Sequence, residues 1–256
     1  FYDFERTRGE LEARGHRFRT RSDSEIALHL YEDYGPECLH HLRGEYAFLI
    51  WDERNQRLIA GRDRFGVKPL FFAEHGDALY LASEVKALFA MGVPARWSEE
   101  SIFAGGFIMP GERTLFRGVQ AVPPGHFLRA TREGHRLQQY WDVEYPRDDT
   151  PQATRTGAEW VAGFRQVLEE SVKTRLRADV PVGCYLSGGI DSCAVLGLAA
   201  RHHAGPVRAY TLTFDGTQYD ESAIAEEMAR HAGATYQPIA MKQADLADHF
   251  RAAVIQ

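Results

Sequence analysis

Six consecutive residues, Ser187-Gly188-Gly189-Ile190-Asp191-Ser192, carry the clearest chemical potential in this chain. Neither glycine has a Cβ, so the backbone there can turn tightly and approach a ligand closely. A helix is expected to begin near Asp191, which would aim unpaired amide hydrogens and a positive dipole end at the same point. Ser187 and Ser192 add hydroxyl donors. Such a loop can hold an oligophosphate with little cationic help. A polar turn with Asp191 as helix cap has the same composition, so the surroundings must decide.

Those surroundings are alternating strands and helices. The apolar run Val182-Gly183-Cys184-Tyr185-Leu186 reads as a strand feeding the loop. Residues 194–203 then read as helix, 207–214 as a buried strand, 221–232 as helix, 235–239 as strand and 244–254 as an amphipathic helix. That order implies a parallel sheet, whose ligands bind at the carboxyl ends of the strands. The nearest approach to a Walker loop, Gly61 through Lys68, has Val67 where lysine is needed and is rejected.

The chain before the loop has a different texture. Residues 5–13 read as a short helix closed by Gly15, and 16–20 as a strand. Ser22 is expected to open a helix to Tyr34, with Glu25 completing a capping box and Gly35-Pro36 ending it. Short apolar strands follow at 46–51, 58–60, 70–72 and 79–81, a spacing that suggests hairpins. Residues 83–91 return to helix, and 126–129 and 137–141 add strands. After a linker at 146–156, a helix carries Trp160, Phe164, Val167, Leu168, Val172 and Leu176 at helical spacing, a stripe expected to be core.

Composition narrows the class. The 256 residues are 44% hydrophobic, enough for two cores, and 30 basic against 36 acidic side chains give a net charge of −6. The charges are mixed along the chain, so nothing marks a nucleic-acid or anionic-membrane surface. Three cysteines without C-x-x-C spacing argue against a disulfide framework or a zinc ribbon and favour a reducing compartment, with cytoplasm as the expectation. The pairs His40-His41 and His202-His203 lack ligand spacing and are expected on helix surfaces. The opening residues show no initiator methionine or signal-peptide pattern, and the last helix stops without a cap. The chain is therefore expected to be part of something longer.

Residues 187–192 match in full the S-G-G-x-D-S pyrophosphate loop of the ATP-pyrophosphatase superfamily. The first half resembles the glutaminase domain of the asparagine synthetase B family, a class II glutamine amidotransferase. The motifs that carry this occur in order: Arg21 to Glu25, Leu42 to Phe48, Gly61 to Leu70, Ala82 to Leu88, Val122 to His126, and Asp179 to Gly183 leading into the loop. The resemblance implies an α+β N-terminal-nucleophile sandwich over 1–145, incomplete, followed by an α/β parallel-sheet ATP-pyrophosphatase domain over 157–256, also incomplete. It implies glutamine-dependent asparagine synthesis through β-aspartyl-AMP, with L-glutamine, L-aspartate and ATP with magnesium as substrates and no prosthetic group. It is compatible with a homodimer. Another carboxylate acceptor, or a non-catalytic nucleotide-binding module, are the alternatives.

The resemblance also assigns residues. Asp23 would hold the α-amino group of glutamine; a helix-terminal acid facing the dipole is its plainer reading. Ser187, Gly188, Gly189, Asp191 and Ser192 would bind ATP phosphates, with Asp191 able to place magnesium, and Leu186 and Leu212 would bracket adenosine while their side chains serve the core. Arg62, Asp63, Arg64 and Lys68 are expected to be structural, set at a domain interface, as are Glu84 and Lys86. Cys193 stands where serine is more usual. The nucleophilic cysteine and the oxyanion-hole Asn-Gly would lie upstream of Phe1, so no catalytic nucleophile is expected among these residues and the chain alone is expected to lack glutaminase activity.

Overall fold

Period-two alternation of apolar residues builds the first half of the chain. In the computed structural model, which describes residues 1–104, 111–146, 155–214 and 220–255, the chain divides into two units, Phe1–Asp149 and Thr150–Gln256. The first unit opens with helices α1 (Phe4–Ala13), α2 (Glu25–Tyr34) and α3 (Cys38–His41). Strands β1 (Ala47–Asp52), β2 (Arg57–Arg62), β3 (Phe71–His75) and β4 (Ala78–Ala82) follow, then helices α4 (Val85–Ala90) and α5 (Glu99–Phe103) and strands β5 (Gln120–Ala121), β6 (His126–Thr131) and β7 (Gly134–Gln139). They form two antiparallel sheets, ordered β1-β2-β6-β7 and β4-β3-β5.

Alternation sends each strand's side chains to opposite interiors. Ile59 of β2 and Phe127 of β6 pack with Leu11, Ile26, Leu30 and Leu39 of α1 to α3. Their neighbours Ala60 and Leu128 point the other way, to Phe72 of β3 and to Leu79 and Leu81 of β4, and so fill the space between the sheets. Ala73 of β3 then faces outward again, onto Leu88 and Phe89 of α4. The result is four layers: helices, sheet, sheet, helix.

Two expectations for this unit need correction. Residues 16–20 form no strand; they run irregularly from α1 towards α2. Ser22 opens no helix. Helix α2 begins at Glu25 with Ser24 at its cap and no side-chain capping bond, because the Glu25 carboxylate turns back instead, accepting the amides of Arg19 (2.7 Å) and Thr20 (2.8 Å) and the Thr20 hydroxyl (2.6 Å). The charged run after β2 closes on itself. Asp63, 1% exposed, accepts the backbone amides of Tyr46, Phe65, Val67 and Lys68 at 2.9–3.3 Å, while the Arg62 guanidinium donates to the carbonyls of Gly66, Lys68 and Val122. Arg62 and Asp63 therefore brace a turn of their own unit. Glu84 caps α4 and pairs with Lys86 at 2.8 Å, both side chains half exposed.

The second unit alternates helix and strand: α6 (Gly157–Arg175), β8 (Gly183–Tyr185), α7 (Ile190–His202), β9 (Arg208–Phe214), α8 (Ser222–His231), β10 (Thr235–Met241) and α9 (Gln243–Ile255). Its three strands are parallel in the order β10-β9-β8, with Tyr185 opposite Tyr210 and Leu212 opposite Ile239. Leu186, Leu196, Ala199, Val207, Ala209, Ala225 and Ala229 form its core. Thr156 and Glu159 make a reciprocal capping box that starts α6. The expected linker 146–156 lies mostly outside the described residues.

The stripe on α6 is not core. Val172 is buried and Leu176 packs beside it, but Trp160, Phe164 and Val167 are exposed. The covered residues lie in the last turns of this 19-residue helix, where Val172 and Leu176 meet the core of the unit. His40 and His41 sit exposed on α3 as expected; of the second pair only His202 is helical, ending α7 with its ring 2.6 Å from Glu169, while His203 is the extended, half-buried residue that follows the helix.

Candidate functional site: a loop at the carboxyl edge of the parallel sheet

Strand β8 ends at Tyr185, and its sheet continues for one more bond as the Leu186 amide donates to the Tyr210 carbonyl at 2.8 Å. The Leu186 carbonyl accepts the hydroxyl of Thr211 at 2.7 Å, a buried bond from the neighbouring strand β9. This pins the chain where it leaves the sheet. Gly188 then takes φ +83°, a left-handed conformation that side chains resist, and brings its α-carbon close to α8: a Cβ there would meet the Glu221 carbonyl and Ile224 Cβ at 3.3 Å. Gly189 returns to φ −71° as the cap of α7.

The serines hold this shape. Ser192 Oγ accepts the Ser187 amide at 3.2 Å, lies 3.1 Å from Ser187 Oγ and donates to the Gly189 carbonyl at 3.0 Å. The first intrahelical bond of α7 runs from the Cys193 amide to Gly189, so the amides of Ile190, Asp191 and Ser192 precede any helical acceptor, and no side chain caps the helix. Asp191 is exposed in the first turn. The loop is a ring of amide and hydroxyl donors at a helix N-terminus, with one carboxylate at its rim.

A cleft of about 400 Å³ opens beside the loop, lined by Ser187, Ser192, Tyr185, Leu212, Phe214 and Glu221 among others. Of the two leucines, Leu186 is 2% exposed and is core as expected, but Leu212 is 49% exposed and stands in the cleft wall. Alternation along β9 explains this: buried Thr211 faces Leu186, and Leu212 must face the other way. The second unit thus gathers Leu186, Ser187, Gly188, Gly189, Asp191, Ser192 and Leu212 around one edge of one sheet. Thr211 and Glu221 are members that sequence reasoning missed; a lone strand threonine carries no motif.

Asp23 belongs to the first unit. It lies just before α2, where its carbonyl accepts the Ile26 amide at 3.2 Å, and its half-exposed carboxylate meets the α-ammonium of Phe1. The segment bearing it is stapled by Glu25, whose carboxyl is held down at about 2, chiefly by the Thr20 hydroxyl and then by the Arg19 amide. None of the thiols is exposed. Burial pushes Cys38 up to about 12 and also raises Cys184, which makes poor nucleophiles of both.

A glutamine amidotransferase domain model matches residues 1–141, and an asparagine synthase model matches 163–255. The chain belongs to the asparagine synthetase family. Its first unit is accordingly an N-terminal-nucleophile glutaminase-type sandwich, and its second an α/β unit of the synthetase type. Two fungal relatives, "Amidase chry2" of Gibberella zeae and "Amidase chyE" of Penicillium rubens, are each 39% identical, over 97% and 99% of this chain and 39% of each relative. "Asparagine synthetase [glutamine-hydrolyzing] 3" of Bacillus subtilis is 34% identical over 99% of this chain and 44% of its own length. The chain thus spans about two fifths of the length of these relatives. No described helix is long and apolar enough to cross a membrane.

Proposed function

We propose that this chain serves glutamine-dependent amide synthesis driven by ATP, with aspartate as the acceptor and asparagine as the product. Three steps balance the reaction. Glutamine and water give glutamate and ammonia; the acceptor carboxylate attacks the α-phosphate of ATP, giving β-aspartyl-AMP and pyrophosphate; ammonia then displaces AMP to form the amide. The observation that carries the reading is the loop at the carboxyl edge of β8, where amides of the α7 N-terminus and two hydroxyls converge beside a nucleotide-sized cleft.

In this reading Ser187, Gly188, Gly189 and Ser192 take the β- and γ-phosphates and stabilise the charge that develops on leaving pyrophosphate. Asp191 would offer a carboxylate oxygen to the magnesium ion that accompanies ATP, a hard cation suited to oxygen donors. Leu212 and the Leu186 backbone flank the adenosine. Asp23 holds the α-ammonium of glutamine by a charge-assisted bond.

A second acceptor class is favoured by one finding: the two amidases share 39% identity with the chain, against 34% for the Bacillus synthetase. The test is pyrophosphate release by the full-length protein with ATP and a panel of carboxylic acids. Release with aspartate supports asparagine synthesis; release with another acid alone refutes that acceptor while keeping the ATP reading. Failure of the 256-residue chain to bind ATP refutes the loop assignment itself.

A further inference from the structure

We propose that His16, His29 and Glu32 form a binding site for a divalent transition-metal ion of the zinc class. Helix α2 carries His29 and Glu32 three residues apart, on one face, and the irregular segment after α1 brings His16 against them. The three facing atoms are His16 Nδ1, His29 Nδ1 and Glu32 Oε2. They lie 3.2 Å (His16 to His29), 3.2 Å (His16 to Glu32) and 2.7 Å (His29 to Glu32) apart. A tetrahedral ion bound at about 2.0–2.1 Å holds its donors about 3.3 Å from one another. The cluster is nearly at that spacing before any ion draws it together, and among the described residues no other histidine, cysteine and carboxylate group meets the same condition.

The outer nitrogens favour the same assignment. His16 Nε2 lies 3.0 Å from Asp33 Oδ1, and Asp33 is itself held by Arg14 at 2.8 Å. His29 Nε2 is buried without a hydrogen-bond partner, and the nearest carboxylate, Glu25, stands 3.6 Å away. If both rings ligate through Nδ1, each Nε2 carries a hydrogen: that of His16 meets Asp33, the arrangement that fixes tautomer and ring orientation in metal sites, and that of His29 faces Glu25 beyond hydrogen-bond distance. The His29 ring is buried, 8% exposed with Phe18 edge-on at 4.5 Å. Glu32 is half exposed, so a water molecule can reach the fourth position. The ion would clip residue 16 to α2 and close the intervening segment, which carries Asp23. None of this depends on the ATP reading.

The test uses the whole 256-residue chain, stripped of metal and titrated with Zn²⁺ against a competing chromophoric chelator, then with Co²⁺ followed by visible absorption. One Zn²⁺ per chain and a tetrahedral Co²⁺ spectrum are expected. Glu32→Gln and His16→Asn are each expected to weaken Zn²⁺ binding at least about tenfold, and Asp33→Asn about 10–100-fold through the outer shell. The surface variants His40→Asn and His41→Asn leave it unchanged. Because His29 is buried, the partly exposed positions are chosen, and circular dichroism confirms that each variant folds. Absence of Zn²⁺ binding, or binding that survives both Glu32→Gln and His16→Asn, overturns the proposal.

Discussion

Replacing the two loop glycines one at a time separates what the fold requires from what the ligand requires. Gly188→Ala forces an L-residue into φ +83° and places its Cβ 3.3 Å from the Glu221 carbonyl and Ile224 Cβ, and 3.4 Å from Glu221 Cβ. The left-handed conformation costs about 1–2 kcal/mol, and α8 must also retreat by a few tenths of an ångström. A total of about 2 kcal/mol is expected. For a unit of this size that lowers the melting temperature by about 8–16 °C. Gly189→Ala is different. Its φ is −71° and its added Cβ meets only Ser187 Oγ at 3.4 Å, an ordinary contact; losing a glycine cap costs about 0.5–1 kcal/mol. Thermal melts with and without ATP read both effects. Gly188→Ala should lower the transition sharply in the absence of nucleotide, whereas Gly189→Ala should melt within about 8 °C of the parent yet gain less from ATP. Gly188→Val should abolish ATP binding and leave the first unit folded. A Gly188→Ala chain as stable as the parent would refute the strain argument.

Other expectations are narrower. Thr211→Val keeps the shape of a 3%-exposed side chain but deletes its 2.7 Å bond to the Leu186 carbonyl; a loss of about 1–2 kcal/mol is expected by urea unfolding, and an unchanged midpoint counts against that bond. Glu25 titrates at about 2, below the 4.5 of a free carboxyl, so its staple contributes fully above pH 4.5 and is lost as pH falls through about 2. A carboxyl-carbon NMR titration with its midpoint near 4.5 would contradict this. With Cys38 fully buried and its thiol raised to about 12, a disulfide reagent at neutral pH should leave Cys38 unmodified until the first unit unfolds; rapid labelling in the native state would show the burial to be wrong.

Where a residue's environment depends on its own neighbours in sequence, the fold was legible. Most strands of both units and helices α7 to α9 follow from period and punctuation, with shifts of a few residues at their ends, but the two-residue β5 was not expected and residues 16–20 are no strand. The loop 187–192 could be read because glycine and serine types report backbone geometry directly. What failed were statements about partners. The α6 stripe has perfect helical spacing, but spacing does not say which of its turns meet a neighbour, and only the last ones do. Glu25 had the spacing of a capping box, yet Thr20 and the Arg19 amide won its carboxylate. Leu212 is as apolar as Leu186, and only strand parity sends one to the cleft and the other inside. The His16, His29 and Glu32 cluster has no motif because its members join across an irregular segment.

The alternation in β2 and β6 has a further effect on how the first unit can change. Ile59 and Phe127 serve the helix-side interior, while Ala60 and Leu128 serve the space between the sheets. The two interiors share backbone without sharing side chains, so a volume change in one reaches the other only if a strand itself shifts. Well-separated substitutions in the two, such as Leu39→Ala beneath the helices and Leu79→Ala between the sheets, should therefore add in free energy to within about 0.5 kcal/mol. A protein built this way can redraw the helix layer that carries Asp23 while the inter-sheet layer keeps its sequence, as though two small proteins had been evolving on opposite sides of the same wall.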